Sequence, residues 1–191
     1  MEAGGHIGPV STSVLAQEIL PYLRDIPIFV GGGIGHGDII ASFLRMGAAG
    51  CQIGTRFVCA SESVAHRKFK KAFLRASARD AQPTTQVDPN FPVIPVRALV
   101  NNGTEKFLEV QRESIRRFQS GEIEQKDAQL EIEHFWAGAL RRAAIEGDVE
   151  NGSLMAGQSV GMVRVEEPVQ VTIEQLVKQA SKALEKSNVM I

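Results

Sequence analysis

Apolar residues fall in two rhythms along this chain. Ile26 to Val30 is a short apolar run that Gly31-Gly32-Gly33 ends abruptly, and Cys51 to Ile53 is a second one that stops at Gly54-Thr55. Brief runs of this kind, bounded by glycine, predict buried strands. Between them, Asp38 to Met46 carries Ile39, Ile40, Phe43 and Leu44 at helical spacing, with Gly47 at the position of a left-handed C-cap. Ile26 to Phe57 therefore predicts strand, glycine turn, helix, strand and a second glycine turn. Upstream, Ser11 to Leu23 predicts a helix with Ser11, Thr12 or Ser13 as cap and Leu15, Ile19 and Leu23 on one face; Pro21 should kink or end it. Strand and helix alternate as in parallel-sheet folds.

The rhythm changes beyond residue 60. Ser61 to Ala76 predicts a helix that buries Phe69, Ala72, Phe73 and Ala76 and leaves Lys68, Lys70, Lys71 and Arg75 on a solvated face. Pro83, Pro89, Pro92 and Pro95 then exclude a helix from Ala81 to Val96, and Gln82 to Val87 suits an extended edge segment. Thr104 to Gln119 and Asp127 to Glu146 return to a 3.6-residue apolar period, with Trp136 read as core. The last helix, Val171 to Leu184, is predicted to start with Thr172 and Gln175 as a capping box. This divides the chain into βα units (1–60), a helical insertion or lid with a proline-rich connector (61–146), and a return to the active face with a closing helix (147–191).

Composition narrows the function classes. A formal net charge of -1 argues against a nucleic-acid binder, which would show a basic surplus. No charged and apolar leader is present and no apolar run approaches the roughly 20 residues of a membrane span, so a cytoplasmic protein without a membrane partner is expected. Cys51 and Cys59 are too few for a disulfide framework and read as reduced core thiols.

The chemistry concentrates at the glycine turns. In a (β/α) barrel the loops after the last two strands commonly form a phosphate site, because bare N–H groups converge there. Gly32, Gly33, Gly54 and Thr55 have that grammar, against the alternative of tight turns with no ligand. The run GGGIGHG lacks the order of a dinucleotide fingerprint. His6, held between glycines in EAGGHIG, is the candidate acid/base group, since an imidazole can move a proton near neutral pH. His36 and His66 have no second ligand at metal spacing, so no metal site is expected.

Four motifs in order, Glu2 to Gly8 (EAGGHIG), Val30 to Ile34 (VGGGI), Gln52 to Phe57 (QIGTRF) and Ala156 to Gln158 (AGQ), resemble the flavin-dependent nitronate monooxygenases. That family shares its fold with the flavin-dependent enoyl-ACP reductases of the second type. The resemblance implies FMN on a TIM (β/α)8 barrel, with its phosphate on the N–H groups of Gly32, Gly33, Gly54 and Thr55. Gln52 and Ile53 at the strand end would contact phosphate or flavin, Gly5 would approach the cofactor, and His6 would face the flavin ring. The implied substrate is an alkyl nitronate oxidised with O2 or, alternatively, an enoyl thioester reduced with NAD(P)H. Two further readings are a phosphate-binding barrel without flavin and an inactive fragment or interaction module.

The resemblance is clear over Met1 to Phe57 and Gly147 to Met162, and weaker between. A barrel usually needs about 250 residues, and this chain has 191. The expectation is therefore an α/β chain forming only the C-terminal part of a TIM barrel with a mostly helical insertion, which self-associates through open barrel edges.

Overall fold

Two small sheets, built on opposite principles, organise the computed structural model, which describes residues 2–187. The first is parallel. Strand β2 (Phe29–Gly31) pairs with β3 (Gly50–Gln52) in the register Phe29 to Gly50, Val30 to Cys51 and Gly31 to Gln52. Helix α2 (Gly37–Arg45) makes the crossover that a parallel pair requires. It ends in a Schellman motif: the Ala48 N–H donates to the Phe43 carbonyl and the Gly47 N–H to that of Leu44. Before β2, α1 (Thr12–Ile19) is capped by Ser11, whose hydroxyl accepts from the Val14 N–H at 3.4 Å, and it stops ahead of Pro21. Ala16, Leu20, Val30, Ile34, Phe43 and Ala48 form the core of this unit.

The second sheet is antiparallel, and it corrects the expected barrel. Its order is β1 (Gly5–His6), β5 (Val96–Leu99), β4 (Ala81–Pro83), with Gly5 opposite Arg97 and His6 opposite Val96. Among the described residues the two sheets hold five strands, and no closed eight-stranded TIM barrel or part-barrel wall is formed. The physical reason is the pairing of β1. The glycine loop around His6 is drawn into an antiparallel ribbon with the proline-flanked strand β5, instead of ending a parallel strand. The fold is α/β with small sheets of both kinds.

Further corrections concern the helices. Asp127 to Glu146 is two helices, α6 (Gln125–Phe135) and α7 (Ala139–Ala144), because Gly138 takes a left-handed φ of 70° at the break. Helix α5 (Asn102–Gln119) has a capping box formed by Asn101 and Thr104. Phe91, Phe107, Ile115, Ala128 and Ile132 pack between α5 and α6, with Trp136 against Phe107 at a ring separation of 5.0 Å. Lys70, on α4 (Arg67–Arg75), is 5% exposed and not solvated. Its ammonium donates to the Ala60 carbonyl at 2.7 Å and pairs with Glu166 at 2.9 Å. Helix α8 begins earlier than expected, at Val169 (Val169–Ser187), so Thr172 and Gln175 lie inside it and hydrogen-bond Glu167.

Both cysteines are free thiols. Cys59 is buried, and burial pushes its thiol up to about 11, with the Glu166 carboxylate adding to the effect and the Lys70 ammonium opposing it. His36 and His66 each cap a helix, accepting from the N–H of Asp38 and of Lys68. No helix among the described residues is long and apolar enough to cross a membrane.

Candidate cofactor site

The N-terminal loop is the keystone of the site. One carboxylate oxygen of Glu2 accepts both the Thr12 N–H and the Thr12 hydroxyl at 2.8 Å, fixing the loop to the start of α1. Burial works to raise the Glu2 pKa, but these two hydrogen bonds outweigh it and hold the carboxyl below the usual range. On the other side, the Glu2 carbonyl accepts from the Gln158 N–H at 2.9 Å. The loop also meets the AGQ segment backbone to backbone. A Cβ on Gly4 would lie 2.6 Å from the Gly157 nitrogen, and one on Gly157 would lie 2.8 Å from the Glu2 carbonyl oxygen. The glycines of these two motifs are thus explained by close approach of main chain to main chain.

The strand-end turns complete the wall. The Thr55 hydroxyl accepts the Gly157 N–H at 2.9 Å, which ties the second glycine turn to the same segment. Arg56 binds back into the protein: it donates to the Met162 carbonyl at 2.7 Å and pairs with Glu167 at 3.3 Å, both side chains being largely buried. Helix α3 (Thr55–Val58) is one turn long, so this turn offers N–H groups and no sustained helix dipole.

Seven of the sequence-predicted residues, Gly5, Gly32, Gly33, Gln52, Ile53, Gly54 and Thr55, line one cavity of about 460 Å³, with Ala3, Val58, Met155 and Ser159. Among the described residues, no protein acceptor meets the N–H groups of Gly32, Gly33, Gly54 and Thr55. A Cβ on Gly54 would meet nothing within 4 Å, so that turn opens directly into the cavity. Gly33 has a different reason for being glycine: its φ is +70° and a Cβ would come 2.9 Å from that of Glu2. His6 stands apart. It is exposed and lines a neighbouring cavity of about 540 Å³ that shares only Ala3 and Gly31 with the first.

Sequence reasoning missed two residues near this site. Arg97 is 3% exposed and donates to the Ala81 carbonyl; burial lowers its pKa, and the charge of Glu2 works against that lowering. A single arginine in the apolar run Val96 to Val100 was the available signal. Glu2 stands inside the EAGGH motif, where the pattern singles out only Gly5 and His6. After the AGQ motif, Ser159 reaches the cavity, while the Gln158 N–H donates to the Glu2 carbonyl.

A glycine cradle with four bare N–H donors at the ends of parallel strands is the kind of phosphate-holding site found across α/β cofactor enzymes. The family model for nitronate monooxygenase matches residues 1–179. The chain belongs to this family of flavin-dependent oxidoreductases. The match corrects the expectation of a C-terminal portion only, with a resemblance that weakens through residues 61–146, since it runs through nearly the whole chain.

Among solved structures, FabK from Thermotoga maritima is similar over 100% of this chain and 55% of its own, at 34% identity and a TM-score of 0.81. A nitroalkane oxidase from Streptomyces ansochromogenes is similar over 96% of this chain and 50% of its own, at 28% identity and a TM-score of 0.62. A curated relative, the (3aS,4S,5R,7aS)-5-hydroxy-7a-methyl-1-oxo-octahydro-1H-indene-4-carboxyl-CoA dehydrogenase of Rhodococcus jostii, is 38% identical over 87 residues, 46% of this chain and 24% of that protein. The chain spans about half the length of the relatives it matches end to end. Members of the family are FMN-binding flavoenzymes, and the residues present fit that group. The bare N–H groups suit a phosphate, and Ile53, Val58 and Met155 add apolar surface beside them.

Proposed function

We propose that this chain supplies the FMN cradle and a proton-transfer group to an oxidoreductase that reduces enoyl thioesters with NAD(P)H. The observation that carries the choice of substrate is the likeness to FabK, which exceeds the likeness to the nitroalkane oxidase in both identity and TM-score. The relative named as a carboxyl-CoA dehydrogenase shares with it only the thioester class of substrate. The cofactor part of the reading is supported by the convergence of Gly32, Gly33, Gly54 and Thr55 on one cavity.

In this reading the four N–H groups bind the phosphate, and Gln52 and Ile53 at the end of β3 orient the group they meet. Gly5 leaves room for close approach. When bound, FMN supplies the two-electron redox chemistry. His6, on the adjoining cavity, delivers a proton to the carbon next to the thioester carbonyl, and NAD(P)H is the reductant. Residues 1–60 and 147–187 carry the cofactor, and the helical region between them controls access of the substrate.

The test is an FMN titration of the purified chain, in whatever assembly it forms. Assays follow with a short enoyl-CoA plus NADH or NADPH, and with an alkyl nitronate plus O2. Flavin-dependent loss of the enoyl group supports the reading. Nitronate oxidation without enoyl reduction would replace the substrate assignment, and a chain that ignores FMN would sink the whole reading.

A further inference from the structure

Arg56 directly follows the second glycine turn, and an arginine beside a phosphate cradle is expected to reach for the anion. It does the opposite. Its guanidinium donates to the Met162 carbonyl at 2.7 Å, to a Glu167 carboxylate oxygen at 3.3 Å and to the Gln175 side-chain oxygen at 3.1 Å. The Thr172 hydroxyl donates to that same Glu167 oxygen and the Gln175 amide to the other, each at 3.0 Å. The charge of Arg56 is thus engaged inside the protein, in a pair whose side chains are 15% and 14% exposed.

The turn before Arg56 has little else to hold it. No residue of α3 is fully buried, and Gly54 brings no side-chain cap. A glycine turn without an apolar anchor can rotate its N–H groups freely. Two polar ties fix this one: the Thr55 hydroxyl, which accepts the Gly157 N–H, and the guanidinium of Arg56. The partners of Arg56 are themselves anchored. Glu167 forms a parallel bridge with Ala60, and its carbonyl accepts the Ser61 N–H at 3.0 Å. Thr172 and Gln175 belong to α8, whose Gln179 side chain accepts the Gly37 N–H of α2 at 2.9 Å.

We propose that Arg56 is a positioning residue for the phosphate of FMN. Arg56 does not line the cavity. Together with Glu167 it locks the Gly54-Thr55 turn against α8, so that the two N–H groups stay aimed at the anion. The role rests on the reading that the phosphate sits on these N–H groups.

The experiment titrates FMN, and riboflavin, which has the same rings but no phosphate, into the full chain and follows flavin fluorescence. The native chain should bind FMN more tightly than riboflavin. Arg56→Gln should weaken FMN about tenfold and riboflavin by less than about twofold, whereas a merely structural loss would weaken both alike. Glu167→Gln supplies the sign, and carries the test if the arginine variant fails to fold. If Arg56 acts through the lock, Glu167→Gln weakens FMN as Arg56→Gln does, and the double variant is no worse than either single one. If Arg56 reached the phosphate itself, freeing it from Glu167 would leave FMN affinity unchanged or raise it. Lys70→Gln, on the neighbouring pair with Glu166, controls for loosening: it should lower the melting temperature and keep the preference for FMN. Equal losses for both flavins, retained FMN affinity in Glu167→Gln, or a lost preference in Lys70→Gln would each overturn the proposal. A native chain with no preference for FMN would remove the phosphate reading and this role together.

Discussion

The cradle and the helical region are held together by opposite means. Around α5 and α6 the contacts are between large side chains: Phe107 meets Phe135 and Trp136, and Ile132 is fully buried. In the cradle, main chain meets main chain at Gly4 and Gly157, and beside them the Thr55 hydroxyl accepts the Gly157 N–H, with little side-chain volume at the junction. A side-chain core is weakened by removing atoms, whereas a backbone junction is weakened by adding them. The cradle should therefore tolerate loss of volume nearby yet resist a single methyl group.

Four substitutions sharpen or break that contrast. Phe107→Ala should lower stability most, by about 3–5 kcal/mol as for other buried aromatics; chemical denaturation measures it, and FMN affinity at the temperature of the native state should not change. Gly157→Ala should cost about 1–3 kcal/mol by overpacking, and here FMN affinity should fall with stability. A neutral Gly157→Ala would show that the junction can open, and the contrast would fail.

Glu2→Ala removes the carboxylate that holds Thr12 and should cost about 1 kcal/mol, discounted for its partial exposure. Because the Glu2 pKa is lowered in the folded chain, its contribution is present above the unfolded carboxylate value. It is lost as pH falls through the lower folded value. Stability against pH should thus lose an acid-side step in the variant, and an unchanged profile would remove Glu2 from the account. Gly54→Val should leave stability within about 0.5 kcal/mol, as at other unobstructed positions, because its Cβ meets nothing. It should nonetheless weaken FMN binding by at least tenfold in a fluorescence titration. Equal FMN affinity in this variant would mean that the open turn does not face the cofactor.

What could be read from the sequence follows the same division. The β2, α2 and β3 unit was legible because its signals are local: short apolar runs, glycine stops and a helical stripe with Gly47 after it. The sheet of β1, β5 and β4 was not, since it joins segments of two to four residues from distant parts of the chain. Local propensity says little about such pairing. The barrel expectation failed at this point. The two glycine turns were legible as patterns, and Gly32, Gly33, Gly54 and Thr55 share a cavity. The contact of Gly4 with Gly157 could not be read, because nothing in either motif names the other. Lys70 misled for a related reason: its buried partners, the Ala60 carbonyl and Glu166, lie outside its own helix.

Cys59 gives this chain a built-in clock. Its thiol is sealed beneath α4, hydrogen-bonds the Lys70 carbonyl at 3.6 Å, and is held well above the ordinary thiol range by burial. Thiolate is the reactive form, so an alkylating reagent at neutral pH has almost nothing to attack while the helix stays down. Each excursion of α4 away from Ala60 exposes the sulfur and returns it to ordinary reactivity. The slow labelling rate of Cys59, separated by peptide mapping from that of half-buried Cys51, then counts those excursions one opening at a time, with no probe added to the protein.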